Sequence, residues 1–514
     1  MLVGYVSDQW YLALCDVALE FESEDGSFET RSHANGAVDV DITPGLYQVT
    51  LCKPGFGSKT VCITATKGEP YQFRLLSDGL LGYVWPKWVK AGERSEFRVH
   101  ASEAYKLGLW RYGQRKEFIR NLGWFDDHGP RATIQITPDG DYTQTGVQWN
   151  KDGYQSEWHQ QHVVAPSRSG LYYFHAETSS GAFFSFPWVV EPARPQAKIA
   201  VLTSQISWNA YNNFGGRSNY VNQDHLPPKP TVNARLDLRR FTHPGTWPYE
   251  ETAAPLSFDR PELFNCIPKD AKIDDPIEGR LGSAMAPAEW RLLGWLEREG
   301  FDYDLFSETE LHFDRLALDN YKVLILNTHP EYWSKQMYFR VKEWVFQRGG
   351  KLMYLGGCGM YAEVDFPDER TMLCRIEGRS DCRQESEASL LGISYSHSGY
   401  QSGAPYRVIE DSHWVFNGTG LKKGDLFGHR SLSERCPGGA SGHELDKISP
   451  HSADNLCHLA KGNNPNGSGA DMVVFETPSG GSVFSVGSLC WPLSVIVDDG
   501  TSAVTANVLR RFLR

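Results

Sequence analysis

From Met1 to about Leu76, apolar and polar positions alternate in short runs cut by Pro44-Gly45 and Pro54-Gly55, as in VDVDITPGLYQVTLCKPGFGSKTVCITA. A period of two closed by Pro-Gly turns predicts the strands of a small antiparallel β-sandwich over residues 1–78. The alternation restarts in GYVWPKWVKAGERSEFRVHAS and ends in SGLYYFHAETSSGAFFSFPWVVEP, which predicts a second, Ig-like β-sandwich over residues 79–192. Pro192 and Pro195 then mark a linker.

After Gln196 the period changes. AKIAVLTS (Ala197 to Ser204), FDYDLFSETELH, YKVLILN (Tyr321 to Asn327) and KLMYLGG (Lys351 to Gly357) contain continuous apolar runs, the pattern of strands buried on both faces. Between them, PAEWRLLGWLEREG (Pro287 to Gly300) and SKQMYFRVKEWVFQRGG carry the spacing of amphipathic helices, the first closed by Gly300. The βαβαβ order predicts a doubly wound, mostly parallel α/β domain over residues 197–514, of flavodoxin-like or class I amidotransferase-like type. DMVVFETPSGGSVFSVGSLCW reads as a hairpin, Met472 to Phe475 and Val483 to Val486, and TSAVTANVLRRFLR as a final helix. Two long polar stretches rich in Gly and Pro, at about 217–274 and 363–466, read as insertions of the kind that cover active sites.

The abrupt loss of hydrophobicity in YKVLILNTHPEYW directs attention to His329 and Glu331, just past the carboxyl end of a buried strand, where open α/β sheets carry ligands. Pro330 disfavours a helical His329. In an extended backbone, positions i and i+2 project to one side, so the imidazole and the carboxylate would address one point. The loop after the first strand, SQISWNAYNNFGGRSNY, brings Tyr211 and Tyr220 to the same edge.

Composition narrows the class without naming a chemistry. With 40% hydrophobic and 22% charged residues, the chain reads as soluble and globular. A net charge of -12 argues against nucleic acid or an anionic membrane as partner. No apolar run is long enough to span a bilayer, and the opening segment is broken by Asp8 and Asp16 and lacks the basic start of a signal peptide, so a cytoplasmic protein is expected. Ten cysteines are scattered without C-x-x-C or zinc-finger spacing, which predicts free thiols; Cys52 and Cys62 alone flank a predicted turn closely enough to bridge. Trp110, Tyr112, Trp124, Trp149, Tyr154 and Trp158 read either as a sugar-stacking platform or as packing between domains.

Two resemblances add to this. PGLYQVTLCKPGF in the first module resembles the hallmark of carboxypeptidase regulatory-like, or prealbumin-like, domains. More specifically, AYNNFGGRSNY, SFDRP, NTHPEYWS, YLGGCGMY and VVFETPSGGSVFSVGS, in that order from about Ala197 onward, resemble the large-subunit (beta) family of N,N-dimethylformamidase. The resemblance implies hydrolysis of the carbon-nitrogen bond of a small N-substituted amide at a mononuclear Fe(III) site, held by two tyrosinates and a glutamate beside a histidine and a second glutamate. Matched motif by motif, these are Tyr211, Tyr220 (with Tyr249 as the other candidate), Glu331, His329 and Glu476. An all-oxygen, anionic donor set of this kind favours Fe(III) over Zn(II) or Mg(II). Under that assignment Glu476 is the general base on water and then the proton donor to the amine, and His329 bonds the developing oxyanion. The family also implies a homo-oligomer and a small partner subunit.

One position departs from the family's GGNG: here Gly356-Gly357-Cys358-Gly359 carries a thiol. A cysteine at a strand-to-helix turn is where amidotransferase-like folds keep a nucleophile, so a metal-free cysteine amidase using Cys358 and His329 is the rival expectation. A third is a non-catalytic carbohydrate-binding or scaffold protein built from the β modules.

Overall fold

Proline and glycine turns set the strand lengths at the amino end, as expected. In the computed structural model, Gly45–Lys53 and Gly57–Ala65 pair as a hairpin, with Ala18–Ser23 and Gly26–Arg31 completing a four-stranded sheet. Along Gly45–Lys53, Tyr47, Val49 and Leu51 are buried while Leu46, Gln48 and Cys52 face solvent. Leu2–Ser7, flanked by Ala37–Asp39 and Tyr71–Arg74, forms a second sheet that shares this core through Val6 and Phe73. Cys52 lies opposite Ser58 and Cys62 opposite Gln48, so the two thiols are out of register and remain free. The structure describes the chain except residues 9, 76, 78, 102, 126–160, 215–217, 220–228, 231, 233, 236–239, 242–254, 280–281 and 375–384.

A five-stranded sheet (Lys116–Phe125, Tyr105–Tyr112, Gly170–Thr178, Phe183–Glu191, Trp88–Lys90) and a three-stranded one (His162–Val164, Arg94–His100, Leu81–Trp85) share a second core that includes Leu107, Phe174, Trp188, Phe97 and Val99. Tyr112 is fully buried. Its ring stacks on Tyr173 at 4.3 Å and lies 4.9 Å from Trp290, so it packs this sheet onto the rest of the chain rather than offering a sugar platform. Trp110 stacks on His175, Trp124 is exposed, and Trp149, Tyr154 and Trp158 lie outside the described residues.

The remaining chain builds a nine-stranded sheet from β1 (Ile199–Thr203), β2 (Asp304–Ser307), β3 (Val323–Thr328), β4 (Lys351–Gly356), β5 (Tyr406–Val408), β6 (Leu426–Phe427), β7 (Cys457–Gly462), β8 (Asp471–Glu476) and β9 (Ser482–Ser485). Its order is β2-β1-β3-β4-β9-β8-β7-β5-β6. The first five are parallel, and β1 and β3 are buried at every position, which is why they read as continuous apolar runs. Helix α1 (Gln205–Ala210) follows β1, α2 (Ala286–Arg298) precedes β2, α3 (Lys335–Arg348) joins β3 to β4, and α4 (Asp499–Phe512) ends the chain. Ser334 caps α3 by accepting from the Met337 amide, and Gly349 ends it in the left-handed conformation.

The expectation of a mostly parallel sheet needs correction. From β9 onward the order continues antiparallel through β8, β7, β5 and β6. Three of those strands come from the stretch at 363–466, which extends the sheet instead of only covering it. Strands of two to six residues there are too short for a period of two to stand out. Among the described residues no helix is long and apolar enough to cross a membrane.

Candidate active site at the carboxyl edge of the parallel strands

Beyond β3 the backbone turns sharply instead of staying extended. Thr328 has a φ of 55°, and the Glu331 amide donates to the His329 carbonyl at 2.9 Å across Pro330, a three-residue turn that suits proline's fixed φ. The turn still puts both side chains at one point: His329 Nε2 lies 3.1 Å from Glu331 Oε2. Ser207 of α1 holds it, donating to the His329 carbonyl at 2.6 Å and accepting from the Glu331 amide at 3.2 Å.

Tyr211 stands at the end of α1, in a segment that reads as a loop in sequence but forms a short, wholly buried helix. Its hydroxyl donates to Glu331 Oε2 at 2.8 Å, and its ring centroid lies 5.5 Å from that of His329. Arg260 of the SFDRP motif fixes this segment. Its buried guanidinium donates to Asn209 Oδ1, to the Asn209 and Phe214 carbonyls and to the Ser257 carbonyl, all at 2.9–3.1 Å. Tyr220 and Tyr249 lie outside the described residues.

The second carboxylate beside His329 belongs to Glu444, whose Oε2 sits 3.0 Å from Nε2. Glu476 is not there. It ends β8, which runs antiparallel to β9 and therefore finishes at the amino edge of the parallel strands, opposite Ser482 and near Lys351. It is exposed, and its carbonyl accepts from Asn455. Strand direction, invisible in the motif, separates the two ends of the sheet. Glu444 lies in GHELDK within the polar insertion, where the alternation of Glu444, Leu445 and Asp446 into the strand Leu445–Lys447 is the one signal that pointed to it.

Cys358 does reach the site. A sulfur, a His329 nitrogen and a Glu331 oxygen all lie within 4.8 Å of one another. Its loop is glycine-rich because other segments crowd it: a Cβ on Gly356 would sit 2.1 Å from the Thr328 carbonyl oxygen, and one on Gly357 2.6 Å from that of Glu444. Cys358 itself has a φ of 55°, and its amide donates to Asp446 Oδ1 at 2.9 Å. Asp446 Oδ2 accepts from the Tyr354 hydroxyl at 2.6 Å, and that hydroxyl accepts from the Gly359 amide at 2.6 Å. The chain then continues into the strand Ala362–Asp365, so the expected strand-to-helix turn is a strand-to-strand turn.

Burial works against a charged imidazole at His329, but the carboxylates of Glu331 and Glu444 outweigh it and raise the pKa to about 10, which keeps the ring protonated at neutral pH. Behind α1, Glu308 accepts from the Ile206 amide and Trp333 Nε1, while Glu289 accepts from the Ser204 amide and Trp208 Nε1. Desolvation lifts Glu289 from 4.5 to about 8. The folded chain thus keeps a proton that the unfolded chain releases, and stability contributed by this group falls as pH rises between those values. Glu289→Gln, which retains the accepting oxygen, is expected to flatten that decline and to melt higher than the parent at pH 9. Thermal unfolding from pH 5 to pH 9 checks this, and parallel pH curves for the two proteins would refute it.

Residues 117–501 match the family described as N,N-dimethylformamidase beta subunit-like, C-terminal, a span that begins in the strand Lys116–Phe125, earlier than the motifs predict. The N,N-dimethylformamidase beta subunit of Paracoccus aminophilus is 26% identical over 578 aligned positions, covering 92% of this chain and 72% of the relative. That of Alcaligenes sp. is 26% identical over 289, covering 44% of this chain and 37% of the relative. Among solved structures, the β-galactosidase of Bacillus circulans sp. alkalophilus is 16% identical with a TM-score of 0.27, over 44% of this chain and 27% of that one, too slight a likeness to carry an argument. The family match spans the turn of His329 and Glu331, Tyr211, the Cys358 loop and Glu444 alike, and the chain belongs to the N,N-dimethylformamidase beta subunit-like family.

Proposed function

We propose that the chain is a metal-dependent hydrolase of the carbon-nitrogen bond in a small N-substituted amide, similar in activity to the N,N-dimethylformamidases among its relatives. The observation that carries this is the convergence of Tyr211, Glu331, His329 and Glu444 within hydrogen-bonding distance at a buried edge of the sheet. Tyr211 and Glu331 would hold a mononuclear Fe(III), with Tyr220 as the third ligand. The donor chemistry fits, because two hard oxygens that become anionic lie 2.8 Å apart at one buried point. Bound there, the ion supplies Lewis acidity that polarises a carbonyl and lowers the pKa of water.

The chain's own residues carry the proton steps. Glu444 takes a proton from water as the water oxygen bonds to the carbonyl carbon. His329, charged because two carboxylates face it, donates to the oxygen that becomes negative. Glu444 returns its proton to the nitrogen as the carbon-nitrogen bond breaks, leaving a carboxylic acid and an amine, and transfer of the remaining acid proton to the amine gives carboxylate and ammonium. We read residues 1–78 and 79–192 as prealbumin-like and Ig-like sandwiches that carry a catalytic domain of amidotransferase-like type at 197–514. The relatives are named beta subunits, and this chain is expected to self-associate and to take a small partner subunit in the cytoplasm.

The left-handed Cys358, close to His329, supports a second reading: a metal-free amidase in which the Cys358 thiolate, paired with the charged His329, attacks the amide carbon and His329 donates a proton to the leaving nitrogen. Metal analysis with an optical spectrum separates the two. Iron with a phenolate charge-transfer band that Tyr211→Phe removes, together with retained hydrolysis in Cys358→Ser, is expected. A colourless, iron-free enzyme inactivated by Cys358→Ser would overturn the metal reading.

A further inference from the structure

We infer that the preferred substrate carries an aromatic ring, which stacks in a rim of tyrosines on the Cys358 side of the site; this rests on the amide-hydrolase reading above. The strand Ser394–Ser396 pairs antiparallel with Leu445–Lys447, and Tyr395 stands directly across from Asp446. Residues opposite each other in such a pair project to the same face. Asp446 turns its carboxylate to the Cys358 amide, so Tyr395 faces the Cys358 loop as well. Tyr361, three residues past Cys358, meets the Tyr395 ring edge to face at 5.0 Å. The His397 ring lies 5.0 Å from that of Tyr395, its Nδ1 3.2 Å from the Tyr395 hydroxyl, and Tyr400 lies 6.4 Å from His443, the neighbour of Glu444.

These rings do not belong to the core. Tyr361, Tyr395 and Tyr400 are partly exposed and join none of the three hydrophobic clusters. Aromatic groups at a water-facing edge beside reactive side chains are suited to a flat, apolar partner presenting its face or edge. The Cys358 thiol adds a small, polarizable surface to the same wall. Burial, and next the carboxylate of Glu444, hold the Tyr395 phenol well above its ordinary pKa, in keeping with a neutral ring beside that carboxylate. A dimethyl-substituted amide leaves this rim untouched, whereas an aryl amide covers it.

Kinetics on the full chain as isolated test the inference using a phenyl compound, N-benzylformamide, a cyclohexyl compound of equal size, N-(cyclohexylmethyl)formamide, in both of which a methylene insulates the amide from the ring, and N,N-dimethylformamide. A kcat/KM about tenfold higher for the phenyl than for the cyclohexyl compound is expected, on the order of two aromatic contacts. Tyr395→Leu should bring that ratio close to one and Tyr395→Phe should preserve it. Should Tyr395→Leu fail to fold, Tyr361→Leu removes the facing ring and carries the same expectation. A ratio near one in the parent, or one unchanged in the leucine variant, overturns the inference. If no amide is hydrolysed, the hydrolase reading falls, and calorimetric titration with the two formamides decides this one. Tighter binding of the phenyl compound that Tyr395→Leu abolishes sustains it. Equal binding, or none, overturns it.

Discussion

Glu444→Gln is expected to lower kcat by about 10²–10⁴-fold with a small change in KM, the usual contribution of a positioned general acid-base group. The amide side chain keeps the shape of the carboxylate and a hydrogen-bonding oxygen for His329 Nε2, which now lies 3.0 Å away, but it cannot take a proton from water. Iron content should be unchanged, since the ligands implied for the metal are Tyr211 and Glu331 and the residue replaced is neither. Glu476→Gln is the matched control. At an exposed position on the opposite edge of the sheet it should leave kcat within about twofold of the parent. The reverse pattern, a dead Glu476→Gln and an active Glu444→Gln, would return the base to the hairpin and contradict the site geometry.

Arg260→Ala should have the largest effect on stability. The guanidinium is wholly buried and ties Asn209, Phe214 and Ser257 together. Removing it leaves several buried oxygens without donors and a cavity where the side chain lay. A loss of about 3 kcal/mol or more follows from leaving such acceptors unpaired. Because Asn209 lies two residues before Tyr211, the tyrosine should lose its fixed position, and the phenolate band expected of the iron form should weaken with the melting temperature. Arg260→Lys should rescue little of either, since an ammonium cannot reproduce the planar fork that reaches three carbonyls. A melting temperature within about 2 °C of the parent would show that this clamp is not needed.

Local patterns made much of the scaffold legible. Continuous apolar runs identified β1, β3 and β4, and Gly300, left-handed just past α2, marked the end of that helix, because burial on both faces and helix termini each have a direct residue signature. The pair His329 and Glu331 was legible for the same reason, as an abrupt polar step after a buried strand. The route by which they meet was not: a turn closed across Pro330 depends on Ser207, far away in sequence, to hold it. Glu444 was hidden more deeply. A carboxylate just before a three-residue strand in a polar stretch looks like a solvated charge until long-range pairing places it against an imidazole 115 residues away. Glu476 misled for the complementary reason, since its motif carries no record of which way its strand runs.

The polar stretch between β4 and β8 contributes Glu444, Asp446 and Tyr395, whereas Tyr211, His329 and Glu331 all precede it in the chain. Under the proposed function, the residues that would hold a metal and those that form the rim around the substrate therefore lie in separate parts of the polypeptide. Apart from Glu444 and Asp446, the later part can accumulate substitutions, shorten or lengthen its loops, and so change which amide is accepted, while the earlier part is left intact. Relatives that differ in that stretch are expected to diverge in what they hydrolyse.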